Sequence, residues 1–259
     1  MREILTAVPA ATFTLRIVKY LAGHSGPVRA STISRDLGIP RSTTYHLIRV
    51  LQDEGFLVHF PEDQAFALSG LVTEIGTSAL STHTLARFAQ PVLERLVAET
   101  RMPIVAHLGV LQHLDVLYAS KVSARQAPAV VTSIGVRLPA HLTATGRAML
   151  ASIPHAQLRA SYPAGHALVT RAGPGPTSAE ALDLILAETR NRGWAVENGD
   201  ITLEYGSVAA AVYDHNGYPA AAVGLTFRAA AIDEQQWGRL GIATCHAAEA
   251  LSQRIRGRT

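Results

Sequence analysis

One cysteine, Cys245, stands in 259 residues, and that scarcity closes off two kinds of architecture. A disulfide framework and a cysteine-built zinc site both need several thiols at defined spacing, so neither is available. Cys245 itself reads as a small apolar residue on a C-terminal helix. Long hydrophobic runs are missing too. No stretch of roughly 18 uncharged apolar residues is flanked as a membrane span would be, and residues 1–10 carry no basic-then-apolar leader. The expectation is a soluble, unexported, cytoplasmic chain with no membrane partner. Charge of one sign is also in short supply: 23 Lys and Arg face 20 Asp and Glu, a net charge of +3. An isoelectric point near 9.2 hints at a polyanionic partner, but residues 1–81 hold seven basic and seven acidic side chains and are neutral overall. Any basic character that matters must therefore be local.

What is present is hydrophobic periodicity, in a chain long enough for two modest domains. Phe13, Leu15, Val18, Leu21 and Ala22 recur at helical spacing until His24-Ser25-Gly26-Pro27 supplies breakers. Ala30, Ile33 and Leu37 mark a second helix, and Gly38 stands where a helix stops through a left-handed residue. Only Ile39 then separates that glycine from Pro40, a residue tolerated in the first turn of the next helix. In this third helix Thr44, Leu47, Ile48 and Leu51 form the stripe that must face a core. Arg41, Ser42, Thr43, Tyr45, His46 and Arg49 fall on the other side. Gly55 ends the helix; residues 56–60 and 65–69 alternate as two short strands around Pro61-Glu62-Asp63-Gln64.

Two short helices on a tight glycine-containing turn, followed by a hairpin, describe a winged helix–turn–helix. Double-stranded operator DNA is thus the first partner to consider. Arg29, Arg35, Arg41 and Arg49 are expected in the two helices that approach the duplex, with Glu62 and Asp63 in the wing turn and His59 on a wing strand. The DNA-binding set is Arg29, Arg41, Ser42, Thr43, Tyr45, His46 and Arg49.

The segment 70–81 reads as a linker helix with a Leu71, Ile75 and Leu80 stripe, suited either to pairing subunits or to packing on the rest of the chain. The pattern up to residue 99 is interrupted at Ser81-Thr82-His83-Thr84 and at Pro91. Beyond it, residues 104–110 and 114–122 read as paired strands, followed by a strand over 130–136. Helices are expected over 143–152, 178–192 and 234–254. Strands over 208–213 and 220–227 flank Asp214-His215-Asn216-Gly217, whose Asn-Gly step signals a hairpin because both residues tolerate positive φ. The whole is an α+β chain: a winged helix over 1–69, a linker helix over 70–82, and an α/β effector-binding and oligomerisation domain of GAF/PAS-like type over 83–259, its sheet largely antiparallel.

In the N-terminal half Leu37-Gly38-Ile39-Pro40-Arg41-Ser42-Thr43 and Leu51-Gln52-Asp53-Glu54-Gly55-Phe56-Leu57 stand in order. In the C-terminal half come His107-Leu108-Gly109-Val110, Arg137-Leu138-Pro139-Ala140-His141, Thr143-Ala144-Thr145-Gly146-Arg147-Ala148-Met149-Leu150, Arg192-Gly193-Trp194-Ala195-Val196 and Gly206-Ser207-Val208-Ala209-Ala210. Over nearly its whole length the chain resembles the isocitrate lyase regulator (IclR) family of bacterial transcription regulators. The resemblance implies a repressor or activator with a winged helix, a linker helix and a domain that binds a small-molecule effector, assembled as a homodimer or as a tetramer built from two dimers. It implies no cofactor, no metal and no catalysis. By resemblance the effector pocket is lined by residues at Leu142, Ala144 and Thr145, by the loop near Glu197 and Asn198, and by Ala209, Gly224 and Thr226. Leu142 and Ala211 depart from residues common in the family.

Reading the residues themselves, residues 134–147 combine apolar wall and polar tips, with His141 and Thr143 beside a helix start whose free N–H groups suit a carboxylate. The bulk of Leu142 and the smallness of Ala144, Ala209 and Gly224 favour a compact organic or aromatic acid. Two other readings stay open. The C-terminal domain could only assemble subunits, or His107, His113, His141, Asp115 and Asp200 could form an acid–base or metal site, although none of them sits in a recognised catalytic motif.

Overall fold

The computed structural model describes residues 8–79, 82–165 and 167–257. Its chain divides into two compact units, with the division after residue 79. The first unit comprises α1 (Pro9–Ala22), β1 (Val28–Arg29), α2 (Ala30–Leu37), α3 (Arg41–Asp53), β2 (Leu57–Phe60), β3 (Ala65–Leu68) and α4 (Gly70–Ala79). Its antiparallel sheet runs β1-β3-β2. Gly38 closes α2 at φ 64°, where the left-handed backbone lets Gly38 and Ile39 donate back to the carbonyls of Arg35 and Ser34. Pro40 is the N-cap of α3, just outside its first turn, and its carbonyl accepts the Thr44 N–H at 2.9 Å.

Two expectations for this unit need correction, those for Leu15 and Arg29. The α1 face that reaches the core carries Ile17 and Leu21, with Phe13 and Val18 at its margin; Leu15, half a turn from Phe13, is 62% exposed. Arg29 lies in β1 and caps α2 with extended backbone, so it stands outside the helices. In the wing the strand turns Leu57 inward and leaves Val58 and Phe60 exposed. Leu80, the third member of the linker stripe, lies outside the described residues.

The second unit opens with α5 (Thr82–Thr100), which runs unbroken through Pro91 where the sequence pattern implied an interruption. It continues through β4 (Val105–Gln112), β5 (Asp115–Ser123), β6 (Arg137–Pro139), a 3₁₀ turn (Ala140–Leu142), α6 (Ala144–Leu150), α7 (His155–Ser161), α8 (Ala179–Arg192), β7 (Ala195–Asn198), β8 (Tyr205–Tyr213), β9 (Pro219–Arg228) and α9 (Glu234–Ile255). The sheet is antiparallel with order β6-β5-β4-β9-β8-β7. Local chemistry marks the helix ends. The Ser178 hydroxyl accepts from Ala181 N–H, Gly193 stops α8 at φ 84°, and Asp233 and Gln236 form a reciprocal capping box.

Strand alternation sends two sets of side chains to opposite faces. On one face Leu108, Val212, Val223 and Leu225 meet Leu93 of α5 and Leu251 of α9. On the other, Val116, Ala209 and Ala222 meet Met149 of α6 and Leu186 of α8. This second face is built from small residues, which lets α6 come so close that all seven of its residues are buried. A Cβ on Gly224 would stand 2.7 Å from the Thr145 methyl, and one on Gly109 3.2 Å from Thr145 Cβ, so the two glycines form a notch that seats this threonine.

Residues 130–136 do not form the expected strand. Gly135 adopts φ 88° and bonds with Val136 around Tyr118, and pairing with β5 starts only at Arg137. The hairpin at Asp214 also differs from its sequence reading. Only Gly217 is left-handed; the loop is closed by the Asp214 carboxylate, which accepts from the N–H groups of Asn216 and Tyr218.

Candidate functional site

Each unit carries one candidate site. In the first, the buried face of α3 is Thr44, Leu47, Ile48 and Leu51, which turns Arg41, Ser42, Tyr45, His46 and Arg49 to solvent with Thr43 half-buried between the two faces. Tyr45 is 47% exposed. Ser42, Tyr45, His46 and Arg49 line a shallow concavity with Gln52 and Phe66. Arg49 approaches Asp53 at 4.0 Å with both side chains mostly in water, a pairing too weak to hold it. The first turn of α3 contains no acidic residue. Arg29 takes a different part: its Nε donates to the Asp63 carbonyl at 3.2 Å, tying the wing turn to β1.

In the second unit a narrow cavity opens on the α6 side of the sheet. Thr143, Ala144 and Thr145 form one wall, and Gly224 and Thr226 of β9 lie on its floor. Four residues named from sequence are absent from that lining. The 3₁₀ turn buries Leu142 against Gly175 and sends the His141 ring to the Val169 carbonyl, which accepts from Nε2 at 2.8 Å. Nδ1 of His141 has no hydrogen-bond partner among the described residues, and burial holds the imidazole below its ordinary pKa. Ala209 is core beneath α6, and Asn198 is exposed at the end of β7.

Cross-strand register brings in Glu197, which the resemblance placed near the pocket, together with His107 and Ser207, which sequence reading did not assign to it. His107 lies opposite Gly224, Ser207 opposite Thr226, and Glu197 opposite Ser207, so β4, β8 and β7 each place a polar side chain on the cavity floor. The signal was there: once Gly224 and Thr226 are assigned to one face of a hairpin strand, alternation puts Ser207 on the same face of its partner. Tyr118 completes the floor, and Val130, Val131 and Thr132 reach it from the irregular loop.

These groups bond among themselves. Thr132 Oγ1 lies 2.6 Å from His107 Nε2, the hydroxyls of Tyr118 and Thr145 are 3.3 Å apart, and those of Ser207 and Thr226 3.0 Å. Burial, assisted by the Lys121 charge, lowers the His107 pKa to about 3, so this imidazole is neutral. Burial raises the Tyr118 phenol to about 12. It also pushes the Glu197 carboxyl up, although the N–H groups of Asp200 and Ile201 donate to Oε1 at 2.8 and 3.2 Å. Behind the wall, Arg147 donates to the carbonyls of His141 and Val196 and to Asp200 Oδ2, the last at 2.5 Å.

The acid–base or metal grouping considered from sequence is not assembled. His107 faces Thr132, Asp200 is held by Arg147, and His113 is an exposed turn residue at φ 57°. Among the described residues no group of three or more His, Cys, Asp or Glu side chains is placed to hold a metal ion, and no helix is long and apolar enough to cross a membrane.

Residues 13–59 match the IclR helix-turn-helix domain, and residues 77–253 match the bacterial transcriptional regulator IclR C-terminal family. The chain belongs to the IclR family. It is a transcriptional regulator and not an enzyme, built from a helix–turn–helix unit and an α/β unit, as the resemblance implied. Among IclR-family relatives, the HTH-type transcriptional regulator XynR of Escherichia coli is 27% identical over 86% of this chain and 87% of its own. The glycerol operon regulatory protein of Streptomyces coelicolor is 30% identical over 81% of each. The crystal structure of Thermotoga maritima IclR superposes with a TM-score of 0.63 at 23% identity, covering 95% of this chain and 98% of that one.

Proposed function

We propose that this IclR-family regulator binds a pseudo-palindromic operator as a homodimer or a tetramer and answers to a small organic molecule held in the α6 cavity. It works where the DNA is, in the cytoplasm. The observation that carries the DNA reading is the division of α3: four buried residues anchor it while its polar face stays free to enter a major groove. Arg41 and Arg49 are the candidates for phosphate clamping or for a forked contact to guanine; Ser42, Thr43, Tyr45 and His46 position the helix. Arg29, anchored to Asp63, acts by holding the wing and presenting its remaining guanidinium nitrogens to the backbone. One neutral winged helix offers limited electrostatic attraction and limited surface, which is why two or more copies are required.

The cavity reading rests on its concave, mixed lining and on five residues, Thr143, Ala144, Thr145, Gly224 and Thr226, that were expected to face a ligand. A ligand regulates only by preferring one operator-binding arrangement over another. The acid anticipated from sequence is the less favoured guest here, because no lysine or arginine lines the cavity and Glu197 does.

Fluorescence anisotropy on the protein's own upstream region tests the DNA reading. Arg41→Ala and Arg49→Ala each weaken binding; a lost base contact costs about 1–3 kcal/mol, and a lost phosphate contact lowers the salt dependence by about one ion. Unchanged affinity and unchanged salt slope in both variants would sink it.

A further inference from the structure

The walls of the α6 cavity favour one chemical class of guest over another. Eight of its seventeen lining residues carry hydroxyl groups and none is a lysine or arginine. Three cations act on residues of the lining, and each lies outside it. Arg147 is committed to two carbonyls and Asp200. Arg228, 5.8 Å from the Tyr205 ring, pairs with Glu204 at 3.1 Å. Lys121 lies opposite His107 in the sheet and lines no part of the cavity.

Two further groups on the cavity wall are already engaged. His107 is neutral and already bonded to Thr132. The Thr143 hydroxyl takes the Gly146 N–H, so one donor at the start of α6 is spent on the helix itself. Glu197, by contrast, is a carboxyl group fixed at the wall by two backbone N–H groups, with Asp200 close enough to raise its pKa further. A carboxylate guest would share the cavity with the Glu197 carboxyl group and find no lysine or arginine on its walls to offset the loss of water.

We infer that the effector is an uncharged, hydroxyl-rich small molecule of the polyol or sugar class, held by the threonine, serine and tyrosine hydroxyls, with Glu197 accepting one of its O–H groups. This rests on the reading of the cavity as the effector site. Hydroxyl linings suit such a guest because each side chain donates and accepts, and can rotate to match the guest's own O–H groups. Tyr118 and Tyr205 add apolar ring faces for its C–H surfaces.

The test uses the full-length protein with matched pairs: ribitol against ribonate, sorbitol against gluconate, and benzoate as an aromatic acid. Thermal shift and calorimetry read binding, and operator affinity is read in parallel. At least one polyol is expected to bind about tenfold tighter than the aldonate of the same carbon count. Thr226→Ala and Thr145→Ala are each expected to weaken it about tenfold, and Glu197→Gln to shrink the preference over the aldonate. An aldonate or benzoate that outcompetes the polyols and is lost with Thr226→Ala overturns the neutral class and leaves the effector site standing. Polyol binding unaffected by both threonine variants overturns the proposal by placing the ligand elsewhere. Cavity-dependent polyol binding that never alters operator affinity upholds the ligand class and overturns the regulatory reading. Binding by neither series overturns both.

Discussion

His107 and Gly224 face each other across two strands, and each answers to a different measurement. The native pKa of His107, about 3, lies below the ordinary 6.5. Between those values the unfolded chain holds a proton that the folded chain refuses, so stability is full above pH 6.5 and falls as the pH drops towards 3. The slope from this one group is about 1.4 kcal/mol per pH unit. Chemical denaturation of wild type and His107→Gln at several pH values from neutral to mildly acidic should give curves that converge on acidification; parallel curves would refute the account. At Gly224 the added methyl of an alanine meets Thr145 at 2.7 Å, so Gly224→Ala should destabilise by about 1–3 kcal/mol through overpacking. Paired with Thr145→Ser, which removes the opposing methyl, it should recover most of that loss in thermal unfolding. At this scale the sequence was only half readable. Thr143, Ala144 and Thr145 reach the cavity because a helix start fixes them together, but His141 and Leu142 are their immediate neighbours and turn away. A 3₁₀ turn decides that, and no residue in 140–142 announces it.

Among the elements, α6 is tethered to three other segments through one side chain. Arg147 projects from it to the 3₁₀ turn, to the edge strand β7 and to the loop carrying Asp200, joining three segments far apart in sequence. Arg147→Met leaves Asp200 as an unpaired buried carboxylate and should cost about 3–5 kcal/mol in urea unfolding. The double variant with Asp200→Leu should be less damaged than the single, and equal losses would show that the pair has no such role. The elements legible from sequence were those with a long period or an explicit stop: α3 between Pro40 and Gly55, α8 between Ser178 and Gly193, and the β8–β9 hairpin at Asp214. The missed ones, β1, α7 and β7, are two, seven and four residues long, too short for periodicity to show. Residues 130–136 misled for the opposite reason. Their β-branched run has the composition of a strand, yet Gly135 bends the backbone away before pairing begins.

For the molecule as a whole, the neutral charge of residues 1–81 is what makes the proposed self-association matter for operator binding. Ile75 of α4 is 47% exposed and contributes little to the fold of its own unit. If the α4 stripe pairs subunits, Ile75→Glu should lower the oligomeric mass in sedimentation equilibrium and weaken operator binding while leaving the melting temperature of the α/β unit in place. An unchanged mass would move the pairing surface elsewhere. The cavity carries one more consequence for how such a sensor is set. Its hydroxyls already satisfy each other, Ser207 with Thr226 and Tyr118 with Thr145. An arriving guest swaps old partners for new ones, and the net gain per swap is small. A detector wired this way has a high threshold: it would ignore trace amounts of its guest and respond once that guest has become abundant.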